Sequence, residues 1–241
     1  MTLDRLVYGD EVFEYEVFER HDLSGKVAIH VHPNGTIQVD RPETAGDADV
    51  RKAVRKRARW IKTQKDAADE LRAHVLPREY VSGETHFYLG RRHRLKVERS
   101  GSSLSSVKLA LGRIIVQVPN PSIDRVRGAL KRWYLERAND YLNRRLETVA
   151  SKLAWVEDTP RMRLVGMKRQ WGNCSPNGEI TLNPALVKAP RDCIDYVLTH
   201  ELCHLREHHH GPKFYELLGS EMPDWKAVKG KLDGMAELLL A

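Results

Sequence analysis

The sequence predicts an α+β protein, and three features carry that prediction. Short segments with period-two alternation crowd the first 120 residues, a long amphipathic helix follows over 122–153, and a second group of strand-like pieces leads into a helix with two histidines one turn apart. The same features suggest a division into a β-rich region with a basic helix (1–120) and a second domain (121–241).

Taken in order, Glu11 to Arg20 and Lys26 to His32 alternate as strands do. Pro33-Asn34-Gly35-Thr36 then supplies an Asn-Gly turn that returns the chain through Ile37 to Asp40. Ala48 to His74 reads as one helix that buries Val50, Val54, Trp60 and Ile61 and stops before Pro77. Strand patterns return at Thr85 to Leu89, His93 to Glu98, Val107 to Leu111 and Ile114 to Val118, with Gly112-Arg113 as a tight connection. From Ser122 to Leu153, the spacing of Val126, Leu130, Trp133, Leu142, Leu146 and Val149 gives a helix with one core face. Arg161 to Met167 and Gly178 to Asn183 are the next strands, the second introduced by Pro176-Asn177-Gly178. Arg191 to Arg206 is helical, with Ile194, Leu198, Leu202 and Leu205 on one stripe. A last helix from Asp224 carries Trp225, Val228, Leu232, Met235 and Leu239 at helical spacing. No internal repeat or low-complexity tract is evident.

Composition narrows the function classes. With 241 residues and 41% hydrophobic content, the chain is long enough for one sizeable core or two small ones. No run approaches the ~18 apolar residues of a membrane helix, and Met1 to Leu6 lacks the apolar centre of a signal peptide, so a cytoplasmic location without membrane attachment is expected. The three cysteines, Cys174, Cys193 and Cys203, are odd in number and without framework spacing, which favours reduced thiols. The formal charge of +7 raises the question of an acidic partner. Arg51, Lys52, Arg55, Lys56, Arg57, Arg59, Lys62 and Lys65 crowd one predicted helix around Trp60. That makes DNA or RNA a candidate partner for Arg51 to Lys65, against the commoner reading of such a run as a solvated face.

The most informative segment is His200-Glu201-Leu202-Cys203-His204. Residues four apart on a helix are neighbours, so one cation fits between the two imidazoles. Glu201 is rotated about 100° from His200, too far to complete the same bite but close enough to reach a water there. Zinc lowers the pKa of such a water to about 7, and a carboxylate can accept its proton as it attacks a carbonyl carbon. A catalytic zinc needs a third protein ligand and an open fourth position. His208, His209 and His210 follow at once. His210 has the offset of the third metzincin histidine, but Glu207 stands where that signature has its glycine, so the local pattern is not a metzincin's. The helix is then expected to end between Arg206 and His209, with Gly211-Pro212 opening the next one. His208 and His209 read as surface residues, and Glu216 or Glu221 from the downstream helix is an alternative third ligand.

Further motifs lie around this segment: Trp171 to Ser175, Gly178 to Asn183, Ala189-Pro190, Ile194 to Val197, His200 to Leu205, His210 and Lys213-Phe214. Together, in this order and spacing, they resemble the YgjP-like metallopeptidase family, which is more loosely related to the SprT-like zinc proteases. Weaker similarity runs back through Val31 to Pro42 and Gly83 to Val97; His208-His209 departs from the family's habit. The resemblance implies one zinc ion held by His200, His204 and His210, and Glu201 as catalytic base and acid. It also implies a protein or peptide substrate. Some SprT-like proteases act on DNA-bound proteins, which adds to the case for nucleic acid. The order helix, strands, active-site helix suits a zincin-like α+β domain. In that class an edge strand beside the metal pairs with substrate, and Ile180 to Asn183 is the nearest candidate, with a plain core strand as the default. Trp171, Asn173 and Tyr215 are neighbours in the motifs without an assigned role. Two other functions use the same residues: a nucleic-acid-associated module with a mainly structural zinc, and a zinc hydrolase of a non-peptide amide. A structural zinc would have four protein ligands.

Overall fold

The structure is a computed structural model, and it describes residues 2–9, 11–20, 25–32, 35–73, 78–167 and 170–240. The chain divides into two compact units, Met1–Leu76 and Pro77–Ala241. In the first, strands β1 (Thr2–Tyr8), β2 (Glu11–Arg20), β3 (Ala28–Val31) and β4 (Ile37–Pro42) form a sheet of order β1-β2-β4-β3. The outer pairs are antiparallel, and β2 runs parallel to β4 with Tyr15 opposite Ile37. β2 and β3 lie where alternation predicts them, whereas β1 was not predicted: of its residues only Leu6 is buried, so its apolar signal is weak. In the predicted Asn-Gly turn, Pro33 and Asn34 lie outside the described residues, as do His74 and Pro77 at the end of the basic helix.

Two helices replace the single one predicted over 48–74. α1 (Asp47–Lys56) and α2 (Ala58–Ala73) meet at Arg57. Val50, Val54, Ala58 and Ile61 form the buried stripe against Phe13, Tyr15, Val39 and their neighbours. Trp60 is a correction: it is 41% exposed. At about 100° per residue it falls outside the stripe, and the small Ala58 takes the core position instead. Arg51 Nε donates to Asp4 Oδ2 at 2.9 Å and Lys62 pairs with Glu11, tying each helix to a strand.

The second unit opens with β5 (Thr85–Tyr88), β6 (Arg91–Arg99), β7 (Ser106–Ala110) and β8 (Arg113–Val118), in order β5-β6-β8-β7 with β6 and β8 parallel. α3 (Ile123–Ala150) follows, capped by Ser122 Oγ, which accepts from Arg125 N. Its core face holds Val126, Leu130, Trp133, Leu142, Leu146 and Val149, as the spacing predicts. The Tyr134 hydroxyl donates to Phe87 O at 2.7 Å and locks the helix to β5. The division expected at 120/121 falls inside this unit, because Phe87, Leu95, Ile114 and Val116 of the sheet share one core with α3 and everything after it.

A small sheet of order β10-β11-β9 comes next, from β9 (Met162–Leu164), β10 (Gly172–Cys174) and β11 (Ile180–Leu182). β11 is antiparallel to β10 and parallel to β9, and all three of its residues are buried. It is therefore the central strand and not an edge, which removes Ile180 to Asn183 as the substrate-pairing edge. After a short 3-10 helix, Pro184–Lys188, come α4 (Arg191–Cys203), α5 (Pro212–Glu221), α6 (Trp225–Asp233) and α7 (Ala236–Leu240). α4 ends at Cys203, several residues before the stop expected at Arg206 to His209, and the helix predicted from Asp224 is broken at Gly234. Among the described residues no helix is long and apolar enough to cross a membrane.

Candidate active site

α4 is fixed at its start and along its length. Leu89 N donates to Val187 O at 2.9 Å and Gly90 N to Lys188 O at 3.1 Å, which docks the β5–β6 turn just before the helix. Gly90 has φ +77° and lies so close that a Cβ would be 2.8 Å from Pro190 Cα, so only glycine fits both the backbone and the space. Cys193, Ile194, Val197, Leu198 and Leu202 are buried along the helix. Arg145 of α3 grips Asp195 with two parallel hydrogen bonds, Nε to Oδ1 at 2.6 Å and a second from Nη2 to Oδ2.

His200 lies in the last turn, and His204 is the C-cap. The backbone then turns sharply, with Leu205 N on Leu202 O at 2.9 Å and Glu207 N on Cys203 O at 3.0 Å, and brings His210 back over the helix end. The three Nε2 atoms converge: His210 to His200 is 2.9 Å and His210 to His204 is 3.0 Å. His204 Nδ1 lies 3.0 Å from Glu207 O. A carbonyl only accepts, so Nδ1 carries the proton and Nε2 presents its lone pair to the centre of the triad. Burial, then the facing His210 and His204, pushes the His200 imidazole down to about 3, and burial also lowers His204. Both rings are therefore neutral at neutral pH, the state in which imidazole binds a metal.

Phe214 of α5 lies beneath all three rings. It is fully buried, and its ring centroid is 4.9, 4.6 and 4.7 Å from those of His200, His204 and His210. Gly211 caps α5 and Pro212 opens it, as predicted, which sets Phe214 one helical turn beyond His210. Tyr215 stacks on His210 at 6.2 Å and on Trp225 at 5.3 Å.

Glu201 is only 5% exposed and has no ion pair among the described residues. Burial pushes its carboxyl up to about 8. It packs against β10, where a Cβ on Gly172 would be 2.9 Å from Glu201 Oε1 and 3.0 Å from Leu182 Cδ2. The glycine makes room for the carboxylate. Cys174, on the same strand, has its thiol pushed up to about 11 by burial and then by Glu201, so it is a protonated thiol and not a thiolate. Cys193 and Cys203 are likewise free thiols, both buried.

The structure brings together three of the residues singled out in the sequence and leaves others apart. His200, His204 and His210 form one cluster of potential ligand atoms within 4.8 Å of one another. His208 and His209 are exposed and outside it. Neither Glu216 nor Glu221 belongs to it, and Glu221 Oε1 instead accepts from Trp155 Nε1 at 2.8 Å. Trp171 is tied through its carbonyl to Asn183 N at 2.8 Å. Gly172 and Phe214 had no role in the sequence reading. Only their places in the Trp171 to Ser175 and Lys213-Phe214 motifs marked them.

Two solved crystal structures are similar to part of the chain. One is the metallopeptidase zymogen of Pyrococcus abyssi abylysin, 22% identical over 39% of this chain and 90% of that one, with a TM-score of 0.33. The other is the metallopeptidase zymogen of Methanocaldococcus jannaschii jannalysin, at 20%, 39%, 92% and 0.31 respectively. A search of curated proteins gives no match. The family described as YgjP-like, metallopeptidase domain, matches residues 25–235, and with nearly the whole length so covered the chain belongs to the YgjP-like metallopeptidases.

Proposed function

We propose that the protein is a zinc peptidase in which His200, His204 and His210 hold one zinc ion and Glu201 is the catalytic base and acid. The observation that carries this is the convergence of the three Nε2 atoms at 2.9 and 3.0 Å beside a buried glutamate on the same helix. The donor set fits the ion. Three neutral imidazole nitrogens suit zinc, and three protein ligands leave the open position of a catalytic site. When bound, the ion supplies Lewis acidity toward the scissile carbonyl and toward water.

The remaining steps belong to the chain. Burial alone favours the protonated Glu201 carboxyl, and a cation held by the three histidines would offset this and favour the carboxylate; in that form Glu201 takes the proton of the attacking water on a carboxylate oxygen and delivers it to the leaving amine nitrogen. Gly172 holds the strand close enough to shield that carboxylate, and the Glu207 carbonyl fixes the His204 tautomer. β10 is the edge strand beside Glu201, and its free side offers backbone groups to an extended peptide. That supports peptide over other amides as the substrate. The free thiols accord with a cytoplasmic, reducing location. The test is Glu201→Gln with metal analysis: peptide hydrolysis should fall about 10²- to 10⁴-fold while one zinc per chain remains. Unimpaired cleavage by that variant, or a fourth protein ligand on the ion, would sink the assignment.

A further inference from the structure

Peptide cleavage does not account for the charge of the first unit. Residues 50–65 contain eight Lys and Arg and no Asp or Glu. The structure sorts these cations into two groups. Arg51, Lys62 and Lys65 pair with Asp4, Glu11 and Asp69. Lys52, Arg55, Lys56, Arg57 and Arg59 are exposed and have no ion pair among the described residues. Three of the unpaired group, Lys56, Arg57 and Arg59, line an open concavity of about 520 Å³ together with Trp60 and Thr63.

Helix stability explains only part of the arrangement. Arg55 and Lys56 in the last turn of α1, with Arg57 at its C-cap, suit the negative end of that helix dipole, whereas Arg59 stands in the first turn of α2, which has no acidic residue and where cations cost stability. Trp60 is 41% exposed, and Val50, Val54, Ala58 and Ile61 make the helix contact with the sheet without it. An exposed indole ringed by unpaired cations is the composition of a single-strand platform: aromatic faces stack unpaired bases while the cations follow the phosphates. A membrane surface fits less well, since it needs an exposed apolar face and the apolar stripe here is buried in its own sheet.

We propose that this concavity binds single-stranded nucleic acid, with a base stacked on Trp60 and the flanking phosphates on Lys56, Arg57 and Arg59. The site is independent of the peptidase reading and stands or falls separately from it. The test uses the full chain and a fluorescein-labelled oligothymidylate of about 15 nucleotides, followed by anisotropy across a salt series. The single strand should bind more tightly than a duplex of equal length. Lys56→Glu/Arg57→Glu/Arg59→Glu should weaken binding at least about tenfold and reduce the salt slope by about 2. Trp60→Ala should weaken it at least about fivefold with the slope unchanged, and Trp60→Phe should restore most of the loss. Peptide cleavage should be the same in all of them. The proposal is overturned if the duplex binds better, or if Trp60→Ala has no effect. It also fails if an equal charge reversal on α3, Arg125→Glu/Arg127→Glu/Lys131→Glu, weakens binding as much, or if phosphatidylserine vesicles bind more tightly than the oligonucleotide.

Discussion

Sheets β1–β4 and β5–β8 are wired alike. Each is two hairpins laid side by side so that the second and fourth strands run parallel, giving orders β1-β2-β4-β3 and β5-β6-β8-β7. The helices that succeed the two sheets differ. After β4 come two helices that, among the described residues, bury a narrow stripe, Val50, Val54, Ala58 and Ile61, and expose a row of Lys and Arg. After β8 comes the 28-residue α3, with ten buried residues along its length, and it becomes a wall for later elements. The small sheet and α4 share its core, and Arg145 reaches from it to Asp195. A common sheet plan therefore supports a charged surface in one unit and a buried helix that carries two of the three clustered histidines in the other. The difference lies in how much apolar surface the next helix carries.

Substitutions at four positions press on that contrast. The largest effect is expected at Phe214, which underlies all three histidines in the second unit. Phe214→Ala should cost about 3–5 kcal/mol in unfolding free energy and lower zinc affinity, measured by chelator competition. Phe214→Leu should recover more of the stability than of the cobalt-substituted spectrum. If both variants bind zinc as the parent does, the ring has no part in ordering the site.

Acid should act on the second unit first. Burial, with Arg78 beside it, holds the His86 imidazole at about 4, below its ordinary 6.5. Since folding disfavours the charged ring, its contribution is complete above about 6.5 and is lost as pH falls through that value toward 4. The full loss is about 3 kcal/mol. In the first unit, burial alone would raise the Asp40 carboxyl, but His30, Gln38 and Arg20 together hold it below its ordinary 3.8. That contribution is present above 3.8 and is lost only at still lower pH. Chemical denaturation from pH 7 to 4 should therefore show a shallower decline for His86→Leu than for the parent, and parallel slopes would contradict the assignment.

Gly172→Ala tests the contact between β10 and Glu201. Displacing the carboxylate should lower kcat about 10²-fold with zinc content unchanged, whereas a normal kcat would mean that the strand yields instead. The smallest effect is expected in the first unit: Val54→Ala, at a fully buried position, should cost about 2 kcal/mol and leave peptide cleavage as it was. A loss of cleavage with this variant would show that the first unit contributes to the reaction.

Much of this was legible in the residues. Period-two alternation marked β2, β6 and β8, and apolar spacing marked α3, because those elements have one buried face and one wet one. The signal failed where burial is not one-sided. β10 is three residues long and β11 is buried throughout, so neither alternates, and β1 buries little more than Leu6. Trp60, expected in the core, is exposed because at about 100° per residue it falls outside the phase of Val50, Val54, Ala58 and Ile61.

The spacing of His200 and His204 with Glu201 between them was enough to propose two ligands and a base, since one turn of helix sets that geometry locally. The convergence of His210, the pedestal of Phe214 and the clearance at Gly172 were decided only by tertiary structure. They depend on where α4 stops, how the chain reverses after His204, and how close a strand remote in sequence comes to Glu201. Helical periodicity is a property of neighbouring residues, whereas a chain reversal and an interatomic gap are set by packing between elements far apart in the sequence.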